Sequence, residues 1–104
     1  RPIFYEEVLT YKNIHMDIST HKVTRENKII KLGPTEFNLL RFFLENQGRV
    51  YSREQLLDHV WQHGSYVEPR TVDVHISRLS KAINDGYKED PIRTIRSAGY
   101  SLGL

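Results

Sequence analysis

The sequence predicts an α+β fold: an N-terminal antiparallel β-sheet, three helices and a C-terminal β-hairpin. Three observations carry this. Between Ile3 and Leu32, short β-branched and aromatic runs alternate with polar turns. At Gly33-Pro34-Thr35-Glu36 the apolar spacing changes from the strand period of about two to the helical period of about 3.6. After Asn84-Asp85-Gly86 it returns to strand spacing. The 104 residues fit a single domain, 1–104, divided into a sheet (1–32), a three-helix core (33–83) and a hairpin (92–102). That length buries a core without covalent or metal staples.

Composition removes several function classes. Cysteine is absent, so there is no disulfide, thiol nucleophile or thiolate metal site. The chain carries no P-loop, nucleophile elbow or dinucleotide fingerprint, and neither enzymatic activity nor a cofactor is expected. No apolar run approaches the roughly 20 residues that span a bilayer, and no signal-peptide pattern opens the chain. A soluble cytoplasmic protein with no membrane partner is the expectation. The chain opens at Arg1-Pro2 without methionine, which suggests a piece of something longer. A formal charge of +2 and a pI near 9.0 do not by themselves identify a polyanionic partner; placement of charge decides that.

Five short strands are expected first: Ile3–Tyr5, Val8–Tyr11, Ile14–Asp17, His21–Arg25 and Ile29–Leu32, with turns at Asp17-Ile18-Ser19-Thr20 and Glu26-Asn27-Lys28. The first helix starts with Gly33 as N-cap and Pro34 at its first position, with Glu36 acidic in the first turn. Phe37, Leu40, Phe43 and Leu44 form its apolar stripe, and Gly48 is the expected stop. Val50-Tyr51 is an extended link. Ser52 and Gln55 form a capping box for the second helix, whose apolar side is Leu56, Leu57, Val60 and Trp61. His59 and His63 fall at i, i+4, as in some zinc sites, but no third ligand has matching spacing and no metal is expected. In the loop Gln62–Glu68, Tyr66 and Val67 either pack back on the core or meet another protein.

Pro69 opens the third helix. Val72, Ile76, Leu79 and Ile83 recur at i, i+4, i+7 and i+11, a buried stripe. Arg70, Val74, Ser77, Arg78 and Lys81 fall on the opposite side, flanked by Thr71 and His75. Basic arms separated by small side chains suit a helix lying between phosphates in a groove. A solvated surface would produce a similar stripe, so the context matters. Two helices closely joined and a third with this face make a helix-turn-helix. Ile92–Arg96 and Tyr100–Leu102 then form a hairpin around Ser97-Ala98-Gly99, with Arg96 near its tip, a placement suited to the minor groove. Helix-turn-helix plus hairpin is a winged helix.

The order and spacing of Gly33-Pro34-Thr35-Glu36-Phe37, Val50-Tyr51-Ser52-Arg53-Glu54-Gln55-Leu56-Leu57, Val60-Trp61, Arg70-Thr71-Val72-Asp73-Val74-His75-Ile76, Arg78-Leu79 and Ile95-Arg96-Ser97-Ala98-Gly99-Tyr100 resemble the C-terminal effector domains of OmpR/PhoB-family two-component response regulators. The resemblance implies sequence-specific binding of double-stranded DNA and control of transcription, with phosphate-starvation genes and direct-repeat half-sites as expected targets. It implies a head-to-tail dimer on DNA and a receiver domain outside this chain. It also implies a loop, Gln62, His63, Gly64, Ser65, Tyr66, Val67 and Glu68, that faces the sigma subunit of RNA polymerase. By position, Val74, Arg78 and Arg96 would contact bases. Trp61, Arg70, Thr71, His75, Lys81, Thr94 and Tyr100 would contact the DNA backbone. Asp73 either accepts from cytosine or orients a neighbouring arginine.

The chain departs from the family pattern at Ser77 and Ser80, where many members carry arginine, at Pro69, where an acidic residue is frequent, and at Leu102, where an aromatic often closes the hairpin. Fewer cations on the third helix weaken phosphate attraction. The competing reading is a winged-helix module that binds protein and no specific DNA; it has no need of Arg78, Lys81 and Arg96 on one side.

Overall fold

The computed structural model describes residues 8–61 and 68–103. The expected strand Ile3–Tyr5 and most of the expected polymerase-facing loop, 62–67, lie outside them. Alternating burial along residues 8–30 gives a four-stranded antiparallel meander in the order β1 (Val8–Tyr11), β2 (Ile14–Asp17), β3 (Lys22–Arg25), β4 (Lys28–Ile30). Ile14, Met16, Val23 and Arg25 occupy its buried side, with Met16 opposite Val23 and Ile14 opposite Arg25. Glu26 and Asn27, both at positive φ (51° and 67°), close the β3–β4 hairpin beyond the Arg25–Lys28 pair, as a two-residue primed turn requires. The turn after β2 is held by Asp17, whose Oδ1 accepts from Ser19 N, Ser19 Oγ and Thr20 N. His21, expected in β3, sits in this turn at φ 57° and stacks on Phe37. Leu32, expected in β4, follows the strand as coil.

Helix α1 (Pro34–Glu45) begins as its sequence dictates, with Gly33 extended at the cap and proline at the first position. Phe37, Leu39, Leu40, Phe43 and Leu44 are buried. It ends earlier than Gly48: Asn46 Nδ2 donates to Phe42 O at 2.8 Å and closes the last turn. Gly48, at φ 81°, instead turns the chain so that its N–H reaches Leu102 O at 3.0 Å. Helix α2 (Arg53–Val60) carries the complete Ser52/Gln55 capping box. Helix α3 (Pro69–Ile83) buries Val72, Ile76, Leu79 and Ile83 against α1 and α2. Truncating a side chain at such a core position costs about 2–5 kcal/mol, so this stripe fixes the helix firmly.

The C-terminal hairpin pairs β5 (Ile92–Ile95) with β6 (Gly99–Leu102). Its turn is Arg96-Ser97-Ala98; Gly99, expected in the turn, already pairs with Ile95. The Val50-Tyr51 link joins this sheet, because Tyr51 and Tyr100 exchange both backbone hydrogen bonds at 2.9 Å. A Cβ on Gly99 would lie 1.9 Å from Tyr51 O, so only glycine permits this approach. Sheet, three helices and hairpin together make a winged helix-turn-helix preceded by an antiparallel sheet, with Leu102 fully buried in the shared core.

Candidate nucleic-acid interface

With its apolar stripe inward, α3 presents Arg70, Val74, Ser77, Arg78 and Lys81 to solvent, all exposed. Val74 is 47% exposed, a bare apolar side chain between cations. Arg70 Nε lies 2.8 Å from Glu68 Oε2; both side chains are mostly exposed, so the pair is easily exchanged for another anion. Arg78 and Lys81 form no ion pair among the described residues. Thr71 and His75 are half-buried at the edge of this face.

Each flank of the helix is held by a carboxylate. On the α1 side, His75 Nδ1 is 2.7 Å from Glu36 Oε1. Glu36 is buried beneath the helix at 8% exposure. Burial pushes its carboxyl up, but the hydrogen bond from His75, a backbone N–H and the charges of His75 and Arg78 outweigh burial and leave it below the usual glutamate value. With Nδ1 committed to Glu36, the other ring nitrogen is left for an outside partner. Trp61, at the end of α2, closes over the ring with centroids 5.6 Å apart.

On the other flank, Asp73 faces α2 and the hairpin. Its carboxylate accepts from Arg53 Nε at 3.0 Å and faces Arg53 Nη2 at 3.0 Å, a two-point guanidinium clamp. The Tyr100 hydroxyl also donates to Asp73 Oδ1. Of the two roles open to Asp73 on sequence, orienting an arginine is the one the geometry gives, and that arginine is Arg53. Tyr100, expected as a backbone contact, is 8% exposed, and its hydroxyl donates to Asp73 in this structure. Burial first, then the hydrogen bond to Asp73 and that carboxylate's charge, push the phenol above its usual value.

On the hairpin, Thr94 and Arg96 are exposed. A cleft of about 380 Å³ separates the start of α2 from the hairpin, lined by Ser52, Arg53, Thr94 and Arg96 among others. Of the expected polymerase-facing loop, Glu68 is described, as the N-cap of α3; Gln62, His63, Gly64, Ser65, Tyr66 and Val67 lie outside the described residues. His59 stacks on Phe42 with centroids 5.0 Å apart. Among the described residues no cluster of three His, Asp or Glu side chains is placed to hold a metal ion, and no helix is long and apolar enough to cross a membrane.

Two residues of this arrangement, Arg53 and Glu36, are not among those expected from the sequence. For Glu36 a signal existed: it is in register with Leu40 and Phe43 at i, i+4 and i+7, so a carboxylate falls on the apolar stripe. Arg53 follows the helix cap with no local feature to distinguish it from a solvated arginine.

The family model described as "Transcriptional regulatory protein, C terminal" matches residues 26–102. The phosphate regulon transcriptional regulatory protein PhoB of Rhizobium meliloti (strain 1021) is 51% identical over 102 residues, covering 98% of this chain and 45% of that protein. The protein of the same name from Escherichia coli (strain K12) is 48% identical over 99 residues, covering 95% of this chain and 43% of that protein. The chain thus spans less than half the length of these relatives. Among solved structures, DrrB, a Thermotoga maritima OmpR/PhoB homologue, superposes with a TM-score of 0.81 at 35% identity, over 93% of this chain and 44% of that one. The DNA-binding domain of the response regulator AdeR, solved in complex with an intercistronic region, gives a TM-score of 0.83 at 31% identity, over 90% of this chain and 97% of that one.

Proposed function

Because the chain belongs to the OmpR/PhoB family of transcriptional regulators, as a C-terminal DNA-binding domain of a response regulator and not an enzyme, we propose that α3 enters the major groove and the hairpin tip the adjacent minor groove. Arg78 pairs with guanine through two hydrogen bonds and Val74 packs on a thymine methyl. Arg96 reads the minor groove by its negative potential. Trp61, Arg70, Thr71, His75, Lys81 and Thr94 contact the backbone and set register. Tyr100 joins them at the backbone and also ties the hairpin to Asp73.

The observation that carries this reading is the exposed stripe Arg70–Val74–Arg78–Lys81 on a helix whose opposite side is fully packed. The names of the relatives support genes of a phosphate regulon as the target class; on this proposal two domains read direct-repeat half-sites head to tail. A receiver domain elsewhere in the protein governs pairing, the segment Gln62–Glu68 meets the sigma subunit of RNA polymerase, and the protein works in the cytoplasm.

Fluorescence anisotropy on a duplex with two direct half-sites, against a scrambled duplex over a salt series, tests this. Preference for the repeats with a steep salt slope is expected. Equal binding to both would keep DNA and remove the target class; no binding at low salt would leave a protein-interaction module. Arg78→Ala is expected to cost roughly 1–3 kcal/mol and relax one base position, whereas Lys81→Ala weakens all duplexes alike.

A further inference from the structure

Beside the C-terminal half of α3 runs an open groove of about 420 Å³, walled by β4 and its exit on one side and by Lys81 and Asp85 on the other. Its charge is one-sided. Lys28, Lys31 and Lys81 line it and are exposed, against the single carboxylate of Asp85. The Lys28 ammonium lies over the turn that ends α3, 4.0 Å from where a Gly86 Cβ would stand. Behind them sits Arg25, 5% exposed. Its guanidinium donates to Ile83 O and Asn84 Oδ1 at 2.8 Å, to Asn13 Oδ1 at 3.2 Å and to Glu89 O at 3.3 Å. These are neutral acceptors, so the charge is hydrogen-bonded but not neutralised. Among the described residues none of these four cations has an ion-pair partner.

The groove opens onto the stripe already described, because Lys81 belongs to both. Ser77 and Ser80 stand without charge on α3, and beside its C-terminal end Lys28 of β4 and Lys31, just after it, line the groove with Lys81. A polyanion lying along α3 has a continuous track past Arg78 and Lys81 to Lys28 and Lys31. We propose that Lys28 and Lys31 grip backbone phosphates of the same duplex, beyond the bases that α3 reads, so that the sheet is part of the DNA interface. This rests on the DNA-binding reading above.

The test is the double variant Lys28→Gln/Lys31→Gln, compared with the parent chain on two duplexes over a salt series. One duplex ends at the half-site; the other extends a helical turn beyond it on each side. Each lost phosphate contact removes about 0.9 from the slope of log affinity against log salt. On the long duplex the variant's slope should therefore be shallower by about 1.8. The parent's advantage should shrink roughly tenfold between 50 and 200 mM salt. On the short duplex the two proteins should coincide. Both lysines are exposed, and an unchanged melting temperature would verify that folding is intact. Equal slopes on the long duplex would overturn the proposal and leave the groove to an acidic protein surface. Equal losses on both duplexes would also overturn it, replacing contact by a long-range field. Failure of the parent to bind either duplex would instead remove the DNA reading itself.

Discussion

The two flanks of α3 are both held by a carboxylate, yet they differ in direction and in kind. On the α1 flank the carboxylate belongs to the scaffold: Glu36 reaches up and holds His75, which the helix offers. On the hairpin flank it belongs to the helix: Asp73 reaches out and gathers Arg53 of α2 and Tyr100 of β6. The first pair fixes one ring at the edge of the candidate interface. The second fixes two other elements relative to the helix, and so sets the angle between α3 and the wing. The difference teaches that side chains pointing sideways from α3 do the aligning, while those pointing outward stay exposed.

The comparison breaks most severely at Asp73. Asp73→Ala leaves the buried Tyr100 hydroxyl without its acceptor and detaches Arg53. A buried donor left unsatisfied costs about 1–3 kcal/mol. The half-exposed Arg53 adds little to that. Urea unfolding should register the full loss. DNA affinity should also fall with α3 intact, because the wing is no longer held. A variant of unchanged stability would mean that the hairpin is carried by the Tyr51–Tyr100 backbone bridge alone.

Glu36→Gln should cost less, about 1–2 kcal/mol, because the amide keeps the shape and an acceptor while losing the charge. Its pH dependence is the sharper readout. Glu36 is more acidic in the folded chain than its ordinary 4.5. Its stabilisation is therefore complete above that value and lost as pH falls through the lower, folded value. The parent chain should lose stability faster than Glu36→Gln below about pH 4.5. Parallel acid limbs would show that the carboxylate is not tied to His75 in solution.

The sequence made the elements legible and the sideways contacts largely illegible, for one physical reason. Periodicity reports which side of an element is buried, so the stripe of Val72, Ile76, Leu79 and Ile83, the Gly33-Pro34 start and the Ser52/Gln55 box could all be read directly. Flank residues fall between the buried and exposed sides, where periodicity is silent. Their partners lie 20 to 39 residues away in the chain. Two roles are open to Asp73 on sequence, and the choice between them needs Arg53 in three dimensions. Strand alternation likewise does not reveal that Asp73 lies beside the Tyr100 hydroxyl. At Gly48 and Gly99 sequence alone suggests a stop and a turn, where glycine is commonest, whereas their use here is backbone approach to Leu102 and Tyr51.

The smallest effect comes from dissecting the Asp73 cluster. Tyr100→Phe removes one hydrogen bond to a carboxylate that still has Arg53, so no buried group is orphaned and the cost is about 1 kcal/mol. The phenol titrates higher in the folded chain than its ordinary 10.0, so the folded state prefers it protonated. That contribution is fully present below pH 10 and is lost as pH rises through the folded value. Stability of the parent chain should therefore drop more steeply than that of Tyr100→Phe above about pH 10, the mirror of the acid behaviour at Glu36. Arg53 stays charged across both ranges, so the α2 end of the clamp should persist when the hairpin end lets go. If Tyr100→Phe leaves the alkaline limb unchanged while Asp73→Ala still destabilises, Arg53 is what Asp73 chiefly holds, and the hairpin flank joins two elements instead of three.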